Sequence, residues 1–398
     1  MDFSFTKEEE AVREEVRKFL KENPPEKFEL QMEDDGFGFG SWSDDFTQLL
    51  GKRGWLSRSW PKKYGGQGRP LMERLVFTEE MAYQRAPMAA NFLSDLMSHA
   101  IMEYGNPDLQ AEILPKMANG TFTAWLGLSE PEVGSDLTAL KTSAIKDGDY
   151  YVINGQKLWS AYAHNAKYSF LLARTDPNVI PRRGLSMFVL DKSLSGVEVS
   201  GLTTLAHTHM HNIIYLDNVR IHKRYLLGEE NRGFYQMVAG LDAERYWGRF
   251  VKAPWARRLL EDLVEYAKET RLDGRVLAED PVICNKFARC AVEIEACRLM
   301  HYELGWKMQE GLDLGAGVTA AKIYADEMGR RFLNFAMELL GPFGQLDPRA
   351  KWQPLRNMVA MAGRLYLLAL GHTLAAGTVE ILRDDIAYRG LGLPRLKT

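Results

Sequence analysis

The chain has 398 residues, of which 46% are hydrophobic and 26% are charged, and its formal net charge is −3. This length supports two or three domains with a large buried core, and the composition is that of a globular protein. The small net charge and the lack of a charged tail give no reason to expect a nucleic acid or an anionic membrane as a partner.

The first twenty residues, MDFSFTKEEEAVREEVRKFL, are acidic and contain no long apolar run, unlike a signal or transit peptide. No stretch of about 18 uninterrupted apolar residues follows, so we expect no membrane insertion. The three cysteines, Cys284, Cys290 and Cys297, provide no disulfide framework, which fits a reducing compartment. We therefore expect a cytoplasmic protein.

Residues 1–120 predict an N-terminal α-helical domain. Thr6 and Glu9 have the spacing of a capping box at the start of the first helix. The stretch WPKKYGGQGRP interrupts the helical pattern with two prolines and three glycines, and helical periodicity returns over residues 71–104.

Residues 121–235 change to short β-rich runs separated by Gly, Asp and Asn. Their spacing predicts a middle domain built as a small antiparallel barrel or sandwich. Within YYVINGQKLW, the pair Asn154-Gly155 is typical of hairpin turns, so we expect a turn there.

Residues 236–398 return to long helical patterns. The predicted helices cover residues 236–269, 281–310, 315–341 and 354–386. Four long helices with short connections predict a C-terminal four-helix bundle. The fold class is therefore a multi-domain α+β protein in the order α, β, α.

Two stretches contain residues suited to holding a large polar ligand. GLSEPEVGSDLTALKTSA, residues 127–144, is a loop shaped by Gly and Pro that can present hydroxyls and backbone N–H groups. A structural loop between the α and β regions is the alternative. In NGQKLWSAYAHNA, Trp159 can pack in a core or lie against a flat heterocycle.

Together, SEPEVGSD and NGQKLW resemble the acyl-CoA dehydrogenases. The resemblance runs nearly end to end and includes WPKKYGGQG, YLDNVRI, LLGEENRGF, LLGPFG, AAGT and LGLPR. It implies the three-domain fold of that family, non-covalent FAD as cofactor and an acyl-CoA substrate. It further implies a homotetramer built from dimers, with an electron-transferring flavoprotein as electron acceptor.

The resemblance also implies roles for individual residues. Those implied for FAD binding are Leu126, Leu128, Ser129, Trp159, Ser160, Ala161, Arg271, Glu338, Gly341, Gly344, Thr378 and Glu380. Of these, Glu338, Gly341 and Gly344 would reach the cofactor of a neighbouring subunit. Many family members have a hydroxyl residue where this chain has Ala161. In this chain the nearby Ser160 hydroxyl or the backbone N–H of Ala161 would have to hydrogen-bond the flavin instead.

The family reaction requires a carboxylate that removes the α-proton while the β-hydrogen leaves as hydride. In many members a Glu directly precedes the GT of the last long helix, but here that position is Ala376, followed by Gly377. A subgroup that includes isovaleryl-CoA dehydrogenase has its base in a Leu-Asp-x-Glu-Arg stretch, which residues 241–245 match. The resemblance therefore predicts Glu244 as the base.

Asp242 and Glu244 are roughly 200° apart around a helix axis, so they cannot share a direction. Asp242 and Arg245 share a helix face. The resemblance implies that they, with Ser135, Ala376 and Gly377, contact the substrate. The local pattern alone favours a solvated acid in the first turn of a helix, stabilised by the helix dipole, for Glu244, and the resemblance reverses that preference.

Asp95 lies in NFLSDLMSHA, the stretch that usually forms the floor of the acyl pocket in this family. An acid among Phe92, Leu93, Leu96 and Met97 is unusual for a pocket that takes a plain fatty chain. Asp95 is either a solvent-facing or capped residue, or it recognises a polar acyl group or acts as a second catalytic base.

His207, His209 and His211 alternate, so on a strand all three would face one way and could bind zinc. No acid or Cys lies nearby to complete such a site, and the resembling family uses no metal. We therefore expect no metal.

The sequence thus predicts an FAD-dependent acyl-CoA dehydrogenase that uses Glu244 to form a 2-enoyl-CoA from a branched, cyclic or otherwise bulky acyl group. Two alternatives remain open. One is an alicyclic or unsaturated acyl-CoA dehydrogenase that uses Asp95 at a remote carbon. The other is a non-catalytic FAD-binding paralogue within a hetero-oligomer.

Overall fold

The computed structural model describes residues 4–31, 39–349, 352 and 354–394, with the backbone alone for residues 93, 239–245, 357 and 358. Helices come first along the chain, then strands, then helices again, in the predicted order. Within the described ranges, no helix is both long enough and apolar enough to cross a membrane.

Five helices precede the strands: α1 (Lys7–Glu22), α2 (Asp44–Lys52), α3 (Leu71–Tyr83), α4 (Ala89–Tyr104) and α5 (Pro107–Ala118). The predicted capping box at the start of α1 is confirmed. The Thr6 hydroxyl accepts from the backbone N–H of Glu9 at 3.2 Å, and the Glu9 carboxylate accepts from the backbone N–H of Thr6 at 2.8 Å.

The middle part forms one eight-stranded sheet. Its strands are β1 (Ala124–Gly127), β2 (Ser143–Asp147), β3 (Tyr150–Lys157), β4 (Tyr168–Arg174), β5 (Leu185–Asp191), β6 (Val197–Leu202), β7 (His211–His222) and β8 (Leu226–Leu227). The strand order is β6-β7-β3-β2-β4-β5-β8, and β1 pairs with β4. Most pairs are antiparallel, whereas β1 and β2 each run parallel to β4.

The predicted turn at Asn154-Gly155 is wrong, because β3 continues through both residues. The pairing of β3 with β7 is irregular at this point, where Asp217 and Asn218 of β7 together face Asn154. Asn154 bonds to Asn218 there, and Gly155 is required because an added Cβ would lie 2.5 Å from the Thr142 hydroxyl. The dipeptide therefore marks a bulge rather than a turn.

Six helices follow the sheet: α6 (Gly233–Phe250), α7 (Lys252–Glu269), α8 (Pro281–Gln309), α9 (Gly317–Leu340), α10 (Ala362–His372) and α11 (Val379–Asp385). A small hairpin of β9 (Arg271–Leu272) and β10 (Arg275–Val276) separates α7 from α8. Helices α7 to α10 pack against one another. The helix predicted over residues 236–269 is two helices, because Pro254 has no N–H to continue the ladder.

The single helix predicted over residues 354–386 is also wrong. Residues 373–378 form a break between α10 and α11, where Ala376 has φ +57° and Gly377 has φ +93°. Both values are left-handed and incompatible with a continuing α-helix. Thr378 then starts α11, since its hydroxyl accepts from the backbone N–H of Ile381 at 3.3 Å.

Helix α6 packs against α4, α8, α9 and β5. The Tyr246 hydroxyl donates to the backbone carbonyl of His301 on α8 at 2.9 Å. His301 is completely buried, its Nδ1 lies 2.8 Å from the Cys297 carbonyl, and its ring packs beside Tyr246 and Phe250. These contacts fix α6 against α8.

Burial lowers the pKa of His301 to about 4, so its contribution to stability should depend on pH. In the unfolded chain the His301 imidazole takes up a proton near pH 6.5. In the folded chain it does so only near pH 4. This contribution is therefore present above pH 6.5 and is lost as the pH falls towards 4. We predict that His301→Leu flattens the fall in unfolding free energy over this window by roughly 2–3 kcal/mol, measured by urea titration.

His207→Asn is the matched control, because His207 is exposed and has a left-handed φ of +55° that Asn tolerates. This control should keep the pH dependence of the unaltered protein. Equal pH dependence in His301→Leu and in the unaltered protein would refute the prediction.

Candidate active site

A buried lysine binds the loop that follows β1 and holds it in place. Lys157 Nζ, at the end of β3, donates to the Leu128 carbonyl at 3.1 Å and to Glu130 Oε1 at 2.9 Å. The Ser129 carbonyl accepts from the backbone N–H of Leu158 at 2.9 Å. The predicted residues Leu128 and Ser129 are thus fixed beside the segment that carries Trp159.

The Lys157–Glu130 pair was not predicted, although both residues belong to the quoted motifs. Burial lowers the pKa of Lys157 to about 8, although Glu130 opposes this shift. Burial would raise the pKa of Glu130, but Lys157 and hydrogen bonds from the backbone of Lys141 and Thr142 together lower it. A Lys within an apolar strand, close to an acidic loop, was the available signal.

Trp159 combines an unusual backbone with an exposed ring. Its φ is +59°, a left-handed value that large side chains rarely adopt. The residue is 58% exposed, and its ring stands edge-on to His211 with centroids 5.7 Å apart. This exposure contradicts the core-packing alternative and leaves an indole face available to a flat ring.

Ser160 and Ala161 differ in accessibility. Ser160 is fully buried, and its hydroxyl has no hydrogen-bond partner among the described residues. Asn212 holds it in place by donating from Nδ2 to its carbonyl at 2.9 Å. Because Ala161 retains exposed surface, its backbone is better placed than the Ser160 hydroxyl to meet a ligand beside Trp159.

The end of α6 is tied to the loop that carries Ala376. Arg249 Nη2 donates to the Ala375 carbonyl at 3.3 Å, and Lys322 Nζ, on α9, donates to the Gly377 carbonyl at 2.7 Å. The two bonds hold the residues on both sides of Ala376. Helix α6 and the loop therefore belong to one packed unit.

The two cations that hold this loop belong to a buried cluster around Asp326. Arg249 Nε and Lys322 Nζ each lie 2.9 Å from its carboxylate, and Lys252 Nζ also contacts it. Burial would raise the pKa of Asp326, but the three cations hold it well below its usual range. Burial, with Lys252 and Arg249, lowers the pKa of the adjacent His372.

Leu241, Asp242, Glu244 and Arg245 lie on α6, but their side chains are outside the described residues. Their predicted roles therefore stay predictions. The helix continues directly into Trp247, which is buried.

Several residues predicted to contact the rest of the cofactor or CoA lie on the surface. Ser135 is exposed in the loop between β1 and β2. Arg271 is exposed in β9 and donates to the Gly274 carbonyl of its own hairpin at 3.1 Å. Glu338 is exposed near the end of α9 and pairs with Lys286 of α8.

The two predicted glycines lie in the turn that follows α9. Gly341 has φ +53°, and Gly344 is buried. At the start of α11, Thr378 is the N-cap residue and Glu380 is exposed. The pKa of Glu380 is lowered by hydrogen bonds to its carboxylate from the backbone of Glu380 itself and from Thr378. This carboxylate is therefore kept ionised at the helix start.

Asp95 is half-buried on α4, and its carboxylate pairs with Arg74 of α3. The expectation of a solvent-facing or capping Asp does not describe it. The Arg74 guanidinium carbon also lies 3.8 Å from the centre of a Trp247 ring on α6. Arg74 was missed because no sequence pattern links residues on two different helices.

The three alternating histidines have different environments. His209 stacks on His164 with ring centroids 4.1 Å apart and bonds to Asn212. His211 is beside Trp159, and burial lowers its pKa to about 4. His207 is exposed. Across the described ranges, no group of three or more His, Cys, Asp or Glu residues is arranged to hold a metal.

Three family models match this chain in consecutive order. They are the acyl-CoA dehydrogenase N-terminal domain over residues 6–121, the middle domain over 126–219 and the C-terminal domain over 231–391. Among curated relatives, the acyl-CoA dehydrogenase FadE26 of Mycobacterium tuberculosis is 32% identical, over 99% of each chain.

Solved structures agree. The Tcur3481–Tcur3483 steroid ACAD has a TM-score of 0.89 at 28% identity and full coverage of both chains. The ChsE4–ChsE5 complex from Mycobacterium tuberculosis has a TM-score of 0.84 at 30% identity, also with full coverage of both chains.

The matched family consists of FAD-dependent oxidoreductases that act on CH–CH bonds of acyl-CoA thioesters. The three domain models together account for most of the chain. The anchored loop, Trp159 and the unit formed by α6 and the Ala376 loop lie within the matched segments. This chain therefore belongs to the acyl-CoA dehydrogenase family.

Proposed function

We propose that the protein oxidises a bulky acyl-CoA to a 2-enoyl-CoA, with Glu244 as the base that removes the α-proton. The observation that carries this proposal is the bond from Arg249 to the Ala375 carbonyl. It joins the helix that carries Glu244 to the loop where many family members have their base. A carboxylate supplied from α6 can therefore replace the one that Ala376 lacks.

The residues around Trp159 fit a flavin. Trp159 presents an exposed indole, and the loop from Leu128 to Glu130 is held rigid beside it by Lys157. Rigid loops with accessible N–H groups and a flat aromatic face suit a planar, polar ring system. When bound, FAD supplies a hydride acceptor at N5.

The protein's own residues account for the proton transfer. A carboxylate at Glu244 takes the α-proton, whose loss leaves enolate charge on the thioester oxygen. Backbone N–H groups of the Ala376–Gly377 segment are proposed to donate to that oxygen. Arg249 and Lys322 keep the segment in place by binding the carbonyls on both sides of Ala376. Asp242 and Arg245, on another face of α6, are proposed to contact the CoA chain.

A bulky acyl group is supported by one similar solved structure, which is named as a steroid ACAD. That name favours a branched or cyclic acyl group over a straight chain.

The alternative in which Asp95 acts as a base at a remote carbon is less well supported. Arg74 already engages the Asp95 carboxylate in a charge-assisted hydrogen bond. Such a pair suits recognition better than proton removal.

The proposed assembly is a homotetramer that passes electrons to an electron-transferring flavoprotein. Exposed apolar side chains near the C-terminus, including Leu374, Ile381 and Leu391, provide surface for contacts between chains. A hetero-oligomer with a related chain is the second candidate, because one similar solved structure is named as the ChsE4–ChsE5 complex.

We predict that Glu244→Gln retains FAD but bleaches the flavin absorbance with a bulky acyl-CoA at least 100-fold more slowly, since general-base catalysis contributes about that much. Stopped-flow absorbance measures the rate. Glu327→Gln on α9, a surface carboxylate that pairs with Arg383, is the control and should bleach normally. Full activity in Glu244→Gln would eliminate this base.

Lys157→Met should destabilise the protein by about 3–5 kcal/mol and reduce retained flavin, because it leaves the Glu130 carboxylate buried without its cation. Urea unfolding and the flavin-to-protein absorbance ratio test this. Lys146→Met, at an exposed position of β2, should change neither. Normal stability and flavin content in Lys157→Met would contradict the anchoring role.

Sedimentation of the chain produced alone should give a flavin-loaded species of about four times 45.3 kDa. A smaller, flavin-poor species that binds FAD only after a related chain is added would refute the proposed homotetramer. That result would support the hetero-oligomer instead.

A further inference from the structure

A cavity lies between α3, α4 and the junction of α6 with α7. Its walls are largely apolar and aromatic, with Phe39, Trp55, Phe77, Phe92 and Trp247 among the lining residues. Apolar walls with few polar groups are typical of small-molecule sites, in which the polar groups set specificity. The polar groups of this cavity therefore indicate what it holds.

Arg74 contributes a buried guanidinium to this wall of the cavity. The residue is only 9% exposed, Asp95 accepts from its Nη2, and a Trp247 ring packs against the guanidinium. Its Nη1 is buried and has no hydrogen-bond partner among the described residues. A buried guanidinium donor without a partner is costly, so a bound acceptor would be favoured.

Arg58, the second arginine of the cavity, differs from Arg74 because both Nη atoms of its guanidinium have acceptors. Arg58 also lines it, but Glu15 and Glu73 accept from its guanidinium at 3.2 Å. Among the described residues that line the cavity, Arg74 is therefore the cation with a donor left for a ligand.

The charge of the site favours a neutral acceptor. Asp95 already balances Arg74, so a ligand carboxylate would lie near the Asp95 carboxylate without a second cation of its own. A ketone or hydroxyl oxygen can accept from Nη1 without adding charge. A plain hydrocarbon would offer Nη1 no acceptor.

The cavity also adjoins the region of the proposed chemistry. Trp247 is three residues after Glu244 on α6, less than one helical turn. A group bound against Arg74 and Trp247 could therefore belong to the same acyl chain whose α-carbon meets Glu244.

We propose that Arg74 is a specificity-determining residue that donates from Nη1 to a neutral ketone or hydroxyl oxygen on the acyl group, remote from the thioester. The proposal rests on the dehydrogenase function above. Asp95 orients Arg74 and balances its charge, and Trp247 supports the guanidinium plane. The enzyme then discriminates in favour of oxygenated acyl groups.

The test uses three CoA thioesters of one cyclic carbon skeleton: a hydrocarbon, its ketone at the remote end, and the corresponding carboxylate. Calorimetry measures their affinities for FAD-loaded Glu244→Gln protein, so that proton abstraction does not contribute. We expect the ketone to bind roughly ten- to hundredfold more tightly than the hydrocarbon, and the carboxylate to bind no better than the hydrocarbon.

Arg74→Leu alone would leave Asp95 without its cation, so the main variant is the double change Arg74→Leu with Asp95→Leu. Replacing a buried ion pair with apolar residues is often tolerated. This variant should bind the ketone and the hydrocarbon with equal affinity. Arg13→Leu is the matched control, since Arg13 also pairs with a buried carboxylate and packs over a ring, Phe5, outside the cavity. The control should keep the ketone preference.

Equal binding of ketone and hydrocarbon by the unaltered cavity, or a ketone preference that survives the double variant, would overturn the proposal. Preferential binding of the carboxylate would also overturn it. Bleaching of the flavin by the same three thioesters is measured in parallel on the protein that retains Glu244. A ketone preference without bleaching by any thioester would support the Arg74 site while refuting the dehydrogenase function.

Discussion

The region around the proposed base depends on the buried carboxylate of Asp326. Arg249 reaches it from the end of α6, Lys252 from the start of α7, and Lys322 from its own helix, α9. Two of these cations also donate to the backbone around Ala376. Removal of one partner from such a cluster leaves buried charge uncompensated, which is strongly destabilising. One carboxylate therefore fixes the orientation of three helices and a loop, and couples their positions.

The order of helices and strands was predictable because it depends on local periodicity, and the capping box at Thr6 depends on two nearby side chains. The break at residues 373–378 was not predicted, although Gly377 followed by Thr378 has the pattern of a helix end and a helix start. Its left-handed residues are stabilised by distant cations on α6 and α9. At Asn154-Gly155 the dipeptide predicted a hairpin turn, and that prediction is wrong. The partner Asn218 on β7 decides that the irregularity is a bulge.

The candidate site was predictable in its motifs but not in its buried electrostatics. Short stretches around Ser129 and Trp159 were enough to predict a flavin site, and their roles stay predictions. The acid at Asp95 also attracted notice, because it interrupts an apolar helix face. Its partner Arg74 lies on another helix and could not be identified from spacing. The packing of helices brings such pairs into contact. The sequence contains both residues, but their spacing does not show that they meet.

The exposure of Trp159 has a consequence for the protein's lifetime in the cell. A ligand that covers this 58% exposed residue in the folded chain, and has no affinity for the unfolded chain, raises the free energy of unfolding. With FAD as that ligand, the fraction of chains open to proteases would follow the supply of flavin. The abundance of the enzyme would then respond to the FAD concentration of the cell, without any change in the expression of its gene.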